Sequence, residues 1–231
     1  MSNIIGPHGL RRYALPWLLL DAALPSSCFA CGNRLGSTQA LGACHRCWMG
    51  LDPALEVTPM LPAGVTVASA VRYTGLARRY LLRAKFSRHQ ELFDPMGRML
   101  VAVFRQLPYR PDCILPVPSH PWDTCARGFT PSVEIARALS RATGIPIRPL
   151  LRRRWRPWTA FKRLDRAGRK ILAARAFRLR HDLSGISVLL VDDLMTTGST
   201  LAACSRCCAE AGASEIHGLV WARATFFNSN N

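Results

Sequence analysis

One run of thirteen residues, 188–200, constrains the fold more than any other part of this sequence. It reads Val-Leu-Leu-Val-Asp-Asp-Leu-Met-Thr-Thr-Gly-Ser-Thr. The continuous apolar segment 187–191 predicts a central parallel strand that is buried on both faces. Two acids follow, then a loop rich in hydroxyl groups, and then a predicted helix over 200–211. Because free backbone N–H groups at a helix start attract anions, this order predicts a phosphate-binding loop.

The side chains of this run indicate what accompanies the phosphate. Asp192 and Asp193 are acceptors directly before the loop, where they can bind the two hydroxyls of a ribose whose 5-phosphate fills the loop. The loop residues that would hold the phosphate by backbone or hydroxyl groups are Thr196, Thr197, Gly198, Ser199 and Thr200. The alternative is a buried strand, a surface pair of acids and a helix cap. That alternative explains each piece but not the whole run.

Short apolar runs alternate with helical stretches over most of the chain, which is typical of an α/β fold. Prolines and a glycine between 53 and 64 predict a linker. Further strands are predicted at 65–73, 113–118 and 216–222, and helices at 76–85, 92–107 and 131–143. We therefore predict a parallel sheet flanked by helices, with a small N-terminal four-cysteine module. The predicted parts are a lead segment at 1–27, a zinc-binding module at 28–52, a hood or flanking region at 65–107 and a core at 108–225.

The lead segment resembles a secretion signal in part, since it contains an apolar run, but it lacks other features of one. Pro16 and Asp21 interrupt its apolar run, which is also too short to span a bilayer. We predict a short amphipathic helix at 17–23 that packs on the body, or touches a partner or a membrane surface. No other segment of the sequence could form a transmembrane helix, so we expect a cytoplasmic protein. Nine unevenly spaced cysteines argue against a secreted disulfide framework and for a reducing compartment.

Four of the cysteines form two Cys-x2-Cys pairs, and twelve residues separate the pairs. This spacing predicts four thiolates around one tetrahedral Zn²⁺ with no open position, which is a structural site. The ligands would be Cys28, Cys31, Cys44 and Cys47. His45 is the only substitute ligand at hand, and we expect it to face solvent. The other cysteines, including Cys113 and Cys125, are expected to be structural, and Cys204, Cys207 and Cys208 to pack a helix on the sheet.

Several motifs resemble known families. The run 188–200 resembles the 5-phosphoribosyl-1-pyrophosphate (PRPP) motif of type I phosphoribosyltransferases. Over roughly residues 14–224 the chain resembles the ComF family, the competence-protein group that includes the GntX-like proteins. The shared motifs follow the family order: the cysteine pairs, Tyr73-Thr-Gly, Lys85-Phe86, Leu115-Pro-Val-Pro118, Arg127-Gly128-Phe129, Arg169, Ala176-Phe177 and Ala211-Gly212-Ala213.

The resemblance implies a phosphoribosyltransferase fold and roles outside the run. Arg127 and Gly128 would meet the pyrophosphate, since a guanidinium binds phosphate oxygens with two donors at once. Lys85 is a second candidate for this contact, although a lysine at a helix end is commonly just solvated. Mg²⁺ would bridge the pyrophosphate and the ribose hydroxyls. The implied catalytic set of a PRPP-using transferase is Asp192, Asp193 and Arg127.

Three positions depart from the related patterns and leave the acceptor open. The ComF family often carries Gln where this chain has Phe161, and Asn where it has Leu172, so two polar groups near the acceptor are lost. Purine-salvage relatives carry an acid at the position of Thr196 to handle a proton of the base. Because a threonine cannot act as that base, a 6-oxopurine acceptor is disfavoured.

A basic stretch with interleaved aromatic residues spans 148–180. It contains thirteen arginines and lysines and a single acid, Asp165, in a chain of net charge +17. Charge that follows phosphates, together with rings that stack on bases, is typical of single-stranded nucleic-acid binding. The candidate residues are Arg152, Arg153, Arg154, Trp155 and Trp158. The alternative is a solvated flap whose aromatic residues seat it on the domain.

Three functions remain open on the sequence alone. The first is a ComF-like accessory protein for DNA uptake that binds PRPP and single-stranded DNA, with the uptake machinery or a helicase as partner. The second is a metabolic phosphoribosyltransferase with an unidentified acceptor. The third is a PRPP-sensing protein without catalysis. The cysteine module and the basic stretch favour the first over the second, and the lack of a helix-turn-helix pattern weakens the third.

Overall fold

A computed structural model describes residues 27–28, 30–35, 43–60, 65–86, 90–154 and 176–224. The chain divides into two compact units, Met1–Met49 and Gly50–Asn231. The first unit contains helix α1 (His45–Met49) and a short antiparallel bridge between Ser27 and Arg34. The helix predicted at 17–23 lies outside the described residues. Among the residues described, none of the helices has the length and apolar character that crossing a bilayer requires.

The second unit is built on a five-stranded sheet with the order β1-β2-β7-β6-β3. The outer pair β1/β2 is antiparallel, and every other pair in this sheet is parallel. Two short strands, β4 and β5, form a separate antiparallel pair. The strands are β1 (Pro53–Met60), β2 (Val65–Arg72), β3 (Cys113–Pro116), β4 (Arg152–Arg153), β5 (Phe177–Arg178), β6 (Ser187–Met195) and β7 (Glu215–Arg223).

Helices connect the strands of the larger sheet. Two of them, α3 (Phe93–Phe104) and α5 (Pro131–Thr143), approach closely at Gly97, where an added Cβ would lie 2.4 Å from the Ala138 Cβ atom and 2.8 Å from the Ile135 carbonyl oxygen. A side chain at position 97 would therefore force the two helices apart. The helices are α2 (Gly75–Phe86), α3 (Phe93–Phe104), α4 (Pro121–Arg127), α5 (Pro131–Thr143) and α6 (Ser199–Glu210), with a 3-10 turn at Gln90–Leu92.

The centre of the sheet is fully buried. All four residues from Val188 to Val191 on β6 are fully buried, and so is Trp221 on the neighbouring strand β7. Residues from α6 and β3 complete this core, among them Leu201 and Leu115. The apolar run therefore forms the central parallel strand that its composition predicts.

Two sequence-based expectations about strands were wrong. The residues predicted as a linker include β1, an edge strand with a bulge between Pro53 and Glu56. Prolines are tolerated there because an edge strand needs only one side of its backbone for the ladder. Strand β6 also continues past Val191 to Met195, because it keeps pairing with β7 as far as Arg223. Asp192 and Asp193 thus belong to the strand itself.

Candidate functional site

A pocket lies at the carboxyl end of β6, where the chain turns into α6. Ligands of open α/β sheets bind at this end of the strands. The pocket contains most of the predicted phosphate-binding loop, and Thr197 is the loop residue outside its lining. The lining residues are Asp192, Leu194, Met195, Thr196, Gly198, Ser199, Thr200 and Leu201.

The start of α6 keeps hydrogen-bond donors available to an anion. Gly198 precedes the helix with a φ of 74°, a left-handed conformation that glycine adopts without strain. No side chain caps the helix at this position. The Ser199 N–H makes only a long hydrogen bond, 3.4 Å, to the Thr197 hydroxyl. Uncapped N–H groups and a pocket lined with hydroxyls together fit a phosphate.

The two neighbouring acids point to opposite sides of β6, because side chains alternate along a strand. Asp192 lines the pocket. Asp193 is 7% exposed and forms an ion pair with Lys85. Its own backbone N–H donates to Asp192 Oδ1 at 2.9 Å. The structure thus brings Asp192 into the pocket lining and gives Asp193 a different partner.

The environment of Asp192 disfavours its charge. Burial, reinforced by the charge of Asp193, raises the pKa of Asp192 well above its ordinary value. The hydrogen bond from the Asp193 backbone and the charge of Lys85 act in the opposite direction. A ligand that brings a cation or hydroxyl donors to Asp192 would therefore stabilise the carboxylate.

Lys85 reaches the site from the last turn of α2. Its ion pair with Asp193 is largely covered, since the two side chains are only 18% and 10% exposed. The low exposure of Lys85 argues against the alternative that it is only a solvated lysine at a helix end. A pyrophosphate could contact Lys85 only by sharing its ammonium group with Asp193 or by drawing it away.

Arg127 lies near the same end of α2. It is the last residue of α4, and its guanidinium sits over the Phe86 ring, 5.0 Å from the ring centroid. The arginine side chain is 14% exposed, with Nη2 3.8 Å from Asp123 Oδ1. Because Phe86 follows Lys85 directly, the contacts of α2 connect Asp193 on β6 with Arg127 on α4.

The loop before α4 runs beside the acids. The Val117 N–H donates to the Val191 carbonyl oxygen at 2.9 Å, so the chain leaving β3 is held against β6 one residue before Asp192. Gly128 then ends α4 with a φ of 79°. The segment from Val117 to Gly128, which the family resemblance assigns to pyrophosphate, therefore begins at the carboxyl edge of β6.

Phe86 is a residue that the sequence did not assign to the site. Its side chain is 67% exposed, although it belongs to the described part of a well-packed helix. Two signals could have pointed to it: its place beside Lys85 in a shared motif, and its position on an otherwise basic helix face. Neither signal indicates Arg127 as its partner.

The four predicted zinc ligands come together in the first unit. The sulfur atoms of Cys28, Cys31, Cys44 and Cys47 all lie within 4.8 Å of one another. Cys31 Sγ and Cys44 Sγ are 3.8 Å apart. A tetrahedral site with Zn–S bonds of about 2.3 Å requires sulfur atoms about 3.8 Å apart, so the cluster fits Zn²⁺. His45 is exposed and stands outside the cluster, as expected.

Two thiols of the cluster differ, since burial raises the pKa of Cys47 to about 12 while backbone hydrogen bonds act on Cys28 in the opposite direction. The Gly32 N–H donates to the Cys28 carbonyl oxygen at 2.8 Å and closes the first turn. Burial alone would raise the pKa of Cys28, but hydrogen bonds from the Cys44, Cys31 and Ala30 backbone lower that pKa to about 6. A thiolate at Cys28 is the form that binds metal.

The remaining five cysteines fall into two groups, and Cys207 on α6 belongs with the first, since it is half-buried and packs against the core. Cys204 and Cys208 on α6 and Cys113 on β3 are fully buried, and burial raises the pKa of each thiol, so they act as small core residues as predicted. Cys125 differs from expectation. It is exposed, because α4 buries none of its residues.

The predicted nucleic-acid residues are described only in part. Arg152 donates to the Pro149 carbonyl oxygen at 2.7 Å, and the Arg153 guanidinium lies 5.5 Å from the centroid of Phe177. Arg154 is exposed. Trp155 and Trp158 lie outside the described residues, as do the two departures from the family pattern, Phe161 and Leu172. The interface at 152–158 therefore stays a prediction.

The chain is similar to two proteins called DNA utilization protein YhgH. The one from Escherichia coli is 29% identical over 210 residues, which cover 84% of this chain and 82% of the relative. The one from Salmonella typhi is 27% identical over 222 residues, which cover 86% of this chain and 96% of the relative.

Solved structures of phosphoribosyl-handling enzymes are also similar. The glutamine PRPP amidotransferase from B. subtilis is 23% identical, with 55% of this chain and 25% of that chain covered and a TM-score of 0.41. An adenine phosphoribosyltransferase from Leishmania donovani is 14% identical, with 78% and 92% covered and a TM-score of 0.42.

The family described as phosphoribosyl transferase domain matches residues 84–224. That segment is more than half of the chain, and it includes Lys85, Arg127 and the whole run from β6 into α6. With the four-cysteine cluster and the two YhgH relatives, it confirms the resemblance read from the sequence and the predicted fold class. The chain belongs to the phosphoribosyl transferase domain family.

Proposed function

We propose that this chain binds PRPP at the β6–α6 pocket as a ComF-type phosphoribosyltransferase, and that it is accessory to DNA uptake in natural transformation. The observation that supports PRPP most directly is the pocket itself. It combines the uncapped start of α6, the hydroxyls of Thr196, Ser199 and Thr200, and the half-buried carboxyl group of Asp192. An anion and a polyol side by side are what a ribose 5-phosphate presents.

In this proposal, each group has a separate task. The α6 start and the loop hold the 5-phosphate, and Asp192 accepts hydrogen bonds from the ribose hydroxyls, while Asp193 keeps Lys85 in place. Arg127, with Lys85, stabilises the pyrophosphate as it leaves the ribose C1 atom. Mg²⁺, when bound, supplies positive charge to the pyrophosphate and the ribose oxygens. The chain acts mainly by positioning these groups, since it places no general base at Thr196.

The DNA part of the proposal is supported by the relatives and by charge. Two relatives that align along most of their length carry the name DNA utilization protein. A chain of net charge +17 attracts polyanions. We propose that it works in the cytoplasm, where single-stranded DNA and a component of the uptake machinery or a helicase would be its partners.

Calorimetry with PRPP, with and without Mg²⁺, tests the site. The double variant Asp192→Asn/Asp193→Asn keeps the side-chain shape but removes both charges. We expect it to lose PRPP affinity by tenfold or more, because Asp192 loses a charged hydrogen bond worth at least about 1.4 kcal/mol and Lys85 loses the carboxylate that holds it. Glu210→Gln, an exposed acid at the end of α6, is the matched control and should bind as wild type.

A folded double variant that binds PRPP as tightly as wild type would show that the run is only a strand and a helix cap. Pyrophosphate release in the same samples separates two further cases. Wild-type protein that binds PRPP and never releases pyrophosphate, with any nucleic-acid or base acceptor supplied, acts as a PRPP sensor and not as a transferase.

A further inference from the structure

One face of α2 carries three exposed arginines. Arg78, Arg79 and Arg83 are exposed, and the helix contains no acidic residue. None of the three arginines forms an ion pair within the part of the chain that the structure describes. The opposite side of the helix is buried through Ala77, Tyr80, Leu81 and Ala84. We call the exposed side, made of Arg78, Arg79, Arg83 and Phe86, the α2 basic face.

Three residues of this face lie on one line. Arg79, Arg83 and Phe86 are spaced by four and three residues, which places them on the same side of a helix. At a rise of about 1.5 Å per residue, the line is roughly 10 Å long. The two arginines lead along the helix towards Phe86 at its end.

The Phe86 ring has one side against a guanidinium and is exposed enough for a base to stack on it. The Arg127 guanidinium lies 5.0 Å from the ring centroid on one side, yet the side chain is still 67% exposed. Arg127 itself is mostly covered and lies beside Asp123, so one side of the ring faces a cation. An exposed aromatic ring with charge behind it and charge along its approach is the arrangement that binds a base of a single strand.

The end of this face adjoins the phosphoribosyl site. Lys85, directly before Phe86, pairs with Asp193 on β6. A base on Phe86 would therefore lie next to the lysine that contacts the site. A solvated helix face that served only solubility would need neither the ring nor its arginine support.

We propose that the α2 basic face binds single-stranded nucleic acid, with backbone phosphates on Arg79 and Arg83 and one base stacked on Phe86. This inference rests on the nucleic-acid contact of the proposed function, and it locates a contact on α2 in addition to the stretch at 152–158. A duplex fits less well because its base faces are already stacked. An acidic peptide would use the arginines and leave the ring without a partner.

The first experiment measures how the affinity for an oligothymidine strand depends on salt. Each phosphate contact contributes about 0.7 to the slope of log K against log salt for single strands. Arg79→Ala/Arg83→Ala should therefore lower the magnitude of the slope by about 1.4, while alanine preserves the helix. Arg105→Ala/Arg206→Ala removes the same charge from two exposed positions elsewhere, directly after α3 and within α6, and should change the slope much less.

The second experiment separates stacking from charge. Phe86→Ala should weaken binding of the normal strand by about tenfold, the scale of one stacked base. Binding of an abasic strand of the same length should stay as in wild type, and Phe86→Tyr should restore binding of the normal strand. Equal losses for the normal and the abasic strand would overturn the stacking assignment, as would a Phe86→Tyr variant no better than Phe86→Ala.

The outcomes distinguish this inference from the proposed function. If wild-type protein binds the strand, and both the arginine and the phenylalanine variants bind as wild type does, the α2 basic face is not the contact, while the proposed function stands. If wild-type protein binds no single strand at all, the nucleic-acid part of the proposed function fails together with this inference.

Discussion

The four-cysteine cluster and the phosphoribosyl site are assembled in opposite ways. The cluster takes all its ligands from residues 28–47. The proposed phosphoribosyl site would take Lys85 from α2, Arg127 from α4 and Asp192 from β6, three elements that are far apart in the sequence. A local cluster depends on what it binds, whereas a site made of distant residues depends on the core beneath it.

The packing of the two units shows the same contrast. Among the described residues of the first unit, few are buried: the core set there is Cys28, Ala43 and Cys47. Two of these three, Cys28 and Cys47, are predicted zinc ligands. The second unit has a continuous apolar core around β6. We therefore expect the two units to lose their structure under different conditions.

Zinc removal should have the largest effect, and that effect should stay in the first unit. Structural zinc contributes on the order of 10 kcal/mol to such small modules. Cys28→Ser or Cys44→Ser should lower the zinc content from about one per chain to none, and hydrogen exchange should show lost protection in residues 43–49 while β6 keeps its protection. Cys125→Ser, an exposed cysteine outside the cluster, should keep its zinc.

Reductively purified protein that is folded in residues 43–49 and contains no zinc would contradict this prediction. Loss of protection in β6 together with the cluster would instead show that the two units unfold as one.

The pair Lys85–Asp193 should have the next largest effect, this time in the second unit. Removing one partner leaves a mostly buried charge uncompensated, so Lys85→Met and Asp193→Asn should each destabilise the unit by about 3 kcal/mol in urea unfolding. The double variant should cost clearly less than the two single losses together. The exposed pair Glu134–Arg137 is the matched control, and Arg137→Met should cost less than about 0.5 kcal/mol.

Additive losses would mean that the ion pair contributes no coupling and that the two residues act separately. In that case Lys85 could contact pyrophosphate without disturbing Asp193.

Replacing Asp192 should have the smallest effect on stability. Unlike the preceding substitutions, it should stabilise the protein. Because burial raises its pKa in the folded state, the folded protein holds this proton more tightly than the unfolded chain. The contribution of Asp192 to stability therefore falls as pH rises from its ordinary pKa of about 4 towards the folded value. Asp192→Asn should raise Tm at neutral pH, by about 2–4 °C for each kcal/mol gained, and should not do so at pH 3.

Asp182 gives a control of opposite sign. The Ser184 hydroxyl, with the Ser184 backbone N–H, lowers the pKa of Asp182, so Asp182→Asn should not raise Tm at neutral pH. A fall in Tm for Asp192→Asn at neutral pH would mean that its carboxylate stabilises the unliganded fold.

Local patterns predicted much of the core. The helix at 131–143 and the start of β6 at Ser187 were predicted with the bounds that the structure shows, since apolar periodicity and flanking proline or glycine determine them. The extension of β6 through Asp192 and Asp193 could not be predicted, because acids are rare in strands. Only the pairing of these residues with β7 reveals the extension. Strand β1 was missed for the same kind of reason, as prolines indicate a turn until the sheet edge is known.

The residues of the candidate site could also be predicted only in part. Asp192 and the hydroxyl loop belong to one continuous run, and the sequence placed them together. The partners of Lys85 and Arg127 could not be predicted from any pattern, because Asp193 and Phe86 are distant from them in sequence and the contacts depend on how α2 and α4 meet the sheet.

Strand β1 also determines how the sheet ends. It is the last strand on its side, and an edge strand normally offers its unused backbone groups to a strand from another molecule. Pro53 and Pro59 have no N–H to offer, and the bulge between Pro53 and Glu56 breaks the regular register. These features disfavour a ladder between β1 and a strand of a second copy of the chain, so the edge is a poor template for extending the sheet.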